Sequence, residues 1–372
     1  MNQDWKSDAL GNVATLQRGF DLPARLRKPG AYPIVTSSGI EQFHAEAKVK
    51  GPGVVTGRYG TIGKVFFVRE DFWPLNTTLY VRDFHENDPQ FVSYLLRTID
   101  FEEHSGKTGV PGVNRNDLHE ITIFMPQTCA EQEGIAGALS DADALIESIE
   151  QLLAKKRQLK QGAMQELLTG KKRLSGFRGQ WELRPLRAFV RHFVVPMRDK
   201  PKRLGGEIPW CRIEDFDGVY LDGSKSAQGV DSATIRAMNL KVFPTGTLLI
   251  SCSADLGRCA IVSRPLVSNQ TFIGLEMDDA VSSNLFFYYY MTSKAEELNN
   301  LSSGTTISYL SRSQFEEFGV FVPLGKDEQV AIANVLNDMD AEIATLEAKL
   351  AKARQLKQGM MQELLTGRIR LI

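Results

Sequence analysis

Gln158-Leu159-Lys160-Gln161-Gly162 and, after one residue, Met164-Gln165-Glu166-Leu167-Leu168-Thr169-Gly170 each occur twice in this chain. The second copies are Gln355-Leu356-Lys357-Gln358-Gly359 and Met361-Gln362-Glu363-Leu364-Leu365-Thr366-Gly367. The displacement is constant at 197 residues, from 158 to 355 and from 164 to 361. It also pairs Glu131-Gln132 with Glu328-Gln329 and Leu174 with Leu371, a gapless match of about 44 residues.

Both copies read as long helices. Ile332, Leu336, Met339, Ile343, Leu346, Leu350 and Ala353 follow alternating spacings of four and three, as do Ile135, Leu139, Ala142, Ile146, Ile149 and Leu153. That period predicts a coiled-coil seam. Proline is absent from both stretches, and each closes on Thr-Gly, a helix-stop signal. At 1.5 Å per residue, about 40 residues make a helix of roughly 60 Å. Acids come first (Glu131, Glu133, Asp141, Asp143, Glu147 and Glu150; Asp338, Asp340, Glu342 and Glu347) and bases last (Lys155, Lys156, Arg157 and Lys160; Lys349, Lys352, Arg354 and Lys357). Parallel pairing opposes like charges and antiparallel pairing opposes unlike ones, so antiparallel pairing is expected.

The regions between the helices repeat more weakly. Trp5 to Leu10 matches Trp181 to Leu186, and Gly63-Lys64-Val65 matches Gly257-Arg258-Cys259 after an insertion of about 18 residues in the second copy. Phe124 to Pro126 and Phe321 to Pro323 close the two halves. The resulting order is a domain over 1–127, a helix over 128–174, a second domain over 175–325 and a second helix over 326–372. Short β-rich runs (Val54 to Thr56, Lys64 to Val68, Thr78 to Val81, Thr247 to Ser251) alternate with Gly, Pro and Asn, and Gln90 to Arg97 and Ser283 to Glu297 read as helices. The fold class is therefore α+β, with two α/β domains separated by two long helices in a pseudo-twofold repeat.

Charge excludes a simple answer. The net charge is -1, with 44 Lys+Arg against 45 Asp+Glu. A free-standing DNA binder is usually more basic, because phosphate contacts supply most of its affinity. Enzyme motifs are missing. Gly57-Arg58-Tyr59-Gly60-Thr61-Ile62-Gly63-Lys64 lacks the spacing of a phosphate loop. Asp88-Pro89-Gln90-Phe91 nears an amino-methyltransferase motif but lacks its second proline, and reads instead as a helix cap. The five histidines and four cysteines show no metal-ligand spacing, so no metal or cofactor is expected. No apolar stretch reaches membrane length and no signal peptide opens the chain, so a cytoplasmic location is expected.

Two globular halves, each followed by a helix ending Leu-Lys-Gln-Gly…Met-Gln-Glu-Leu-Leu-Thr-Gly, resemble the DNA-specificity subunits of Type I restriction–modification enzymes. The resemblance covers essentially the whole chain. It implies that the halves are target-recognition domains, each reading one half of a bipartite site on double-stranded DNA. It further implies that the helices set the spacing and bind two methyltransferase subunits, that restriction subunits join through that complex, and that the chain itself catalyses nothing. Partners sharing the phosphate contacts would account for the neutral charge. The two halves would meet DNA in inverted orientation.

Bases are read by Arg, Lys, Asn, Gln, Ser and Thr on loops, and phosphates by Arg and Lys. The candidates in the first domain are Arg58, Tyr59, Thr61 and Lys64 on one loop and Lys107, Thr108, Asn114 and Arg115 on another. In the second domain they are Ser251, Ser253, Arg258, Thr305, Thr306, Ser308 and Arg312. The candidate methyltransferase-docking residues are Gln158, Lys160, Gln161, Gln165 and Glu166, repeated as Gln355, Lys357, Gln358, Gln362 and Glu363. The rival readings are a methyltransferase fused to its own reader and a coiled-coil scaffold whose ends bind proteins.

Overall fold

The computed structural model describes residues 4–105, 112–196, 201, 204–253, 255–301 and 309–371. The chain divides into two compact units. One comprises Met1–Gln151 with Ala348–Ile372, the other Leu152–Glu347, so each unit holds one globular domain and a part of both long helices.

In the first unit the elements run β1 (Trp5–Ala9), α1 (Leu10–Val13), β2 (Thr15–Arg18), β3 (Tyr32–Thr36), β4 (Gly39–His44), β5 (Gly53–Gly57), β6 (Val65–Val68), β7 (Trp73–Pro74), β8 (Thr78–Asp83), α2 (Pro89–Leu96), α3 (Arg115–His119), β9 (Thr122–Pro126) and then the long α4 (Cys129–Leu167). The sheets are β2-β8-β5-β6, β4-β3-β7 and the two-stranded β1-β9. The second domain runs β10 (Trp181–Pro185), β11 (Val190–Val194), β12 (Ile208–Cys211), β13 (Tyr220–Leu221), β14 (Gly229–Val230), α5 (Ser232–Met238), β15 (Val242–Phe243), β16 (Leu248–Ser251), β17 (Cys259–Val262), β18 (Leu266–Ser268), β19 (Phe272–Met277), α6 (Asn284–Ser293), α7 (Ala295–Leu301), α8 (Arg312–Glu317), β20 (Gly319–Pro323) and the long α9 (Lys326–Leu364). Its sheets repeat the plan with one added strand in each of the two larger ones: β11-β19-β16-β17-β13, β14-β12-β18-β15 and β10-β20. The register repeats as well, with Trp5 opposite Pro126 and Trp181 opposite Pro323.

Local chemistry sets the boundaries. Asp88 caps α2 by accepting a hydrogen bond from Phe91 N at 2.6 Å, with Pro89 in the first turn. Gly170 and Gly367, just past the long helices, sit at φ +69° and +70°, a conformation only glycine adopts freely. The helix expected over Ser283 to Glu297 is broken at Lys294, which caps α6 with a non-helical φ of -99° and ψ of 8°. The start of α7 then presses on Gly257, where an added Cβ would lie 2.7 Å from Ala295 Cα.

Neither domain closes its core alone. In the first unit Trp5, Leu10, Phe91 and Leu95 pack with Ile135 and Leu139 of α4 and with Leu364 and Leu365 of α9. In the second, Leu186, Phe286 and Phe287 pack with Ile332 and Leu336 of α9 and with Leu167 and Leu168 of α4. Each fully buried Leu or Phe contributes roughly 1.5–3 kcal/mol. Leu153, Leu346, Leu350 and Ala353 of the expected seam are buried, and Ile146, Ile149, Met339 and Ile343 are half-buried. Within each unit the helices run antiparallel. Glu150 pairs with Arg354 at 2.5 Å and Asp143 with Lys357 in one; Arg157 pairs with Glu347 at 2.6 Å, Lys156 with Glu342 at 2.6 Å and Lys160 with Asp340 in the other. Cys211, Cys252 and Cys259 are buried thiols, and Cys129 is exposed at the start of α4. Among the described residues no helix is long and apolar enough to cross a membrane.

Candidate nucleic-acid interface

The turn between β5 and β6 carries Arg58, Tyr59, Thr61 and Lys64. Arg58 N and Tyr59 N both donate to Thr77 O, at 2.9 and 3.1 Å, which fixes the start of the turn. Gly60 and Gly63 then take φ of +79° and +81° and let it double back. The Arg58 guanidinium lies 4.5 Å from the centre of the Tyr59 ring, a cation–π pair at the surface. Tyr59 is 39% exposed and rests on Gly112, where an added Cβ would sit 2.3 Å from the ring. Val113 N donates to Arg58 O at 3.0 Å, so the segment before α3 lies beside this turn. Asn114 and Arg115 are thereby brought close to Arg58 and Tyr59, and both are exposed. Asn114 also caps α3, accepting from Asn116 N at 3.1 Å. Lys107 and Thr108 lie outside the described residues.

The second domain repeats this juxtaposition with different chemistry. Leu310 N donates to Cys252 O at 2.9 Å, and Ser253 bridges to Tyr309, as Val113 bonds Arg58 and Gly112 bridges to Tyr59. Where the first domain has Arg58 and Tyr59 at its surface, the second has a buried Cys252 and a half-buried Ser253. Ser251 is buried and its hydroxyl donates to Ser253 O at 2.7 Å, so it shapes the turn from within. Arg258 donates to Phe216 O at 2.7 Å and lies 3.5 Å from Asp255, with much of its side chain still exposed. Arg312 is exposed on α8, paired with Glu316 at 2.7 Å and 5.9 Å from the Phe193 ring centre. Thr305, Thr306 and Ser308 lie outside the described residues. Among the described residues no His, Cys, Asp and Glu gather as three or more potential metal ligands.

The family model for the Type I restriction modification DNA specificity domain matches residues 2–156 and again 196–355. The chain belongs to this family. It is 31% identical over 140 residues to the Type I restriction enzyme MjaIX specificity subunit of Methanocaldococcus jannaschii, covering 37% of this chain and 32% of that one. It is 25% identical over 301 residues to the putative type I restriction enzyme MjaX specificity subunit of the same organism, covering 76% of this chain and 69% of that one. The first match thus spans about a third of its relative's length. In fold, the chain is similar to the crystal structure of a Type I restriction–modification S subunit from M. genitalium, with a TM-score of 0.67 at 17% identity over 98% of this chain and 96% of that one.

The helix residues of this specificity-domain protein divide into two sets. Gln158, Gln161, Gln165 and Glu166 on α4, and Gln355, Gln358 and Gln362 on α9, are exposed, and Glu363 is half-buried. Lys160 and Lys357 are not free surface charges. Lys160 pairs with Asp340, which also accepts the Tyr289 hydroxyl at 2.8 Å; Lys357 pairs with Asp143, which accepts the Tyr94 hydroxyl at 2.7 Å. Each ammonium lies over its tyrosine ring, at 5.4 and 5.8 Å. Burial first, then the bond to Asp143, pushes the Tyr94 hydroxyl up to about 12, and the same causes raise Tyr289. These Tyr–Asp–Lys networks tie each domain to the helix pair. Sequence reasoning missed them, although the 197-residue displacement relates both Asp143 to Asp340 and Lys160 to Lys357.

Proposed function

We propose that the chain is the non-catalytic DNA-recognition subunit of a Type I restriction–modification complex. Each domain reads one half of a bipartite site in double-stranded DNA. The helix pair sets the spacing between the halves and docks two methyltransferase subunits through its exposed glutamines, and restriction subunits join through that complex in the cytoplasm. The observation that carries this reading is the repeated juxtaposition of two segments at one place in each domain, with Arg58 and Tyr59 at the surface in one copy and Ser253, beside the buried Cys252, in the other. One scaffold with unlike side chains suits the reading of two unlike sequences. With a net charge of -1 the chain needs partners to cover phosphates, so tight binding belongs to the assembly.

Methylation mapping in a host carrying the chain with its methyltransferase tests the reading. The expected outcome is a bipartite motif. Arg58→Ala should alter bases in one half only, and seven residues inserted after both Ala154 and Ala351 should change the gap and leave the bases. A gap unchanged by the insertion would remove the spacing role. A motif unchanged by Arg58→Ala would remove the assignment of the reading surface.

A further inference from the structure

A second surface of the first domain has the chemistry of a groove reader. Strand β4 is an edge strand, and its residues Ile40 to Phe43 are all exposed between buried Gly39 and His44. It pairs with β3 through a turn at Ser37-Ser38. That turn abuts the Arg58–Tyr59 loop: an added Cβ on Gly57 would lie 3.2 Å from Ser37 Cβ, and one on Gly60 would lie 3.5 Å from Ser37 Oγ. The hairpin therefore continues the candidate interface.

A basic segment is fastened along the same strand. Between Ala24 and Tyr32 the chain holds Arg25, Arg27 and Lys28 and no acid. Lys28 N donates to His44 Nδ1 at 2.9 Å and Ala45 N donates to Lys28 O at 3.0 Å. Gly30 packs so tightly there that an added Cβ would meet Ala45 Cα at 2.3 Å. Arg27 is held by Leu22 O at 3.3 Å and donates to Gln42 Oε1 at 2.7 Å. Beside this pair, Leu26 is 56% and Phe43 53% exposed. The nearest acid on the strand, Glu41, accepts the Thr36 hydroxyl at 3.0 Å.

We infer that the edge strand β4 of the β3–β4 hairpin, with the Arg25–Lys28 segment fastened along it, faces the DNA major groove, with Arg27 and Gln42 at base edges and Arg25 and Lys28 at phosphates. The inference rests on the proposed function. Strand β3 is the buried centre of its sheet, so β4 and the segment along it carry the exposed side chains, and Arg and Gln make bidentate contacts to guanine and adenine edges. Three bases without an acid match a polyphosphate surface. The device belongs to the first domain. In the second, β12 and β14 pair antiparallel as β3 and β4 do, but residues 212–228 join them in place of a two-residue turn, and β14 is short and buried.

The test uses the chain assembled with its methyltransferase subunits, a library of DNA duplexes, and thermal melting as the folding control. Arg27→Ala and Gln42→Ala should each lower discrimination about 10- to 100-fold at one base position of a single half-site. Arg27→Lys should keep affinity and lose that discrimination, because the charge stays and the planar fork goes. Arg25→Ala and Lys28→Ala should weaken all sequences alike and reduce the salt slope by about 1 each. If the Arg27 and Gln42 variants keep every base preference while Arg58→Ala changes one half-site, the hairpin inference is overturned and the proposed function stands. If neither Arg58→Ala nor the hairpin variants change any preference, the first domain is not a reader and the proposed function fails with it. Lost methyltransferase assembly or self-association in Arg27→Ala would make the occupant a protein and overturn the inference.

Discussion

Glu131 accepts a hydrogen bond from Trp5 Nε1 at 3.2 Å and two from Arg370 at 2.9 Å, and it is buried. Glu328 repeats the arrangement with Trp181 at 3.3 Å and Arg173 at 2.6 Å. Each carboxylate fastens the first strand of a domain, the start of its own helix and the tail beyond the other helix. Arg370, and then Trp5, holds the Glu131 carboxyl below the usual carboxylate range. A carboxyl depressed in the folded state stabilises it at pH values above its unfolded value of about 4.3. That contribution is lost as pH falls through the lower folded value. Glu131→Gln should therefore cost about 2 kcal/mol near neutral pH, because it replaces a charged acceptor of three hydrogen bonds with a neutral one. The difference from the parent should shrink as both are acidified. Melting temperatures across pH 7 to 3 measure this, and a gap that stays constant would assign the acid response to other groups.

At the scale of elements, the long helices were legible because their 3.5-residue period and their charge order repeat, and both survive as buried seam residues and as antiparallel ion pairs. The sheets were less legible. Their order depends on pairings distant in sequence, such as parallel β3 with β7 and β12 with β18, which local propensity does not encode. The same limit explains the reading of Lys160 and Lys357 as docking charges. Spacing places a lysine on a helix, but the Tyr94 and Tyr289 rings that cover the two lysines come from the globular domains. Lys160→Glu should consequently put a second acid beside Asp340 and lower thermal stability. Gln158, Gln161 and Gln165 are exposed, so replacing all three with Ala should leave helix content unchanged by circular dichroism. On the proposed function, that triple variant should lose one methyltransferase of two, read by the mass of the assembly. Retained stoichiometry would move the docking surface elsewhere.

For the whole molecule, the interlocking cores make modularity conditional. Residues 181–325 hold the second domain, yet three of its contacts to the helices are specific: Trp181 to Glu328, Tyr289 to Asp340, and the 281–283 segment to the buried Gln329, which accepts from Ser283 N at 2.9 Å and donates to Val281 O at 3.2 Å. The first domain matches these with Trp5 to Glu131, Tyr94 to Asp143, and Asp88 N to Gln132 at 2.9 Å. Both halves thus meet the helices through one set of residue types, while the loops that face solvent differ. A replacement domain from a family member should fold onto these helices if it carries the Trp, the Tyr and a free backbone N–H for Gln329. On the proposed function it should change the bases of one half-site and leave the other half and the gap as they were. The same graft with its Trp and Tyr replaced by Ala should show a lower melting temperature, since the buried Glu328 and the half-buried Asp340 each lose one hydrogen-bond donor. Methylation mapping of the graft decides the matter: new bases in both halves would mean that the domains do not read independently, and the repeated contacts would then be stabilising features without a modular role.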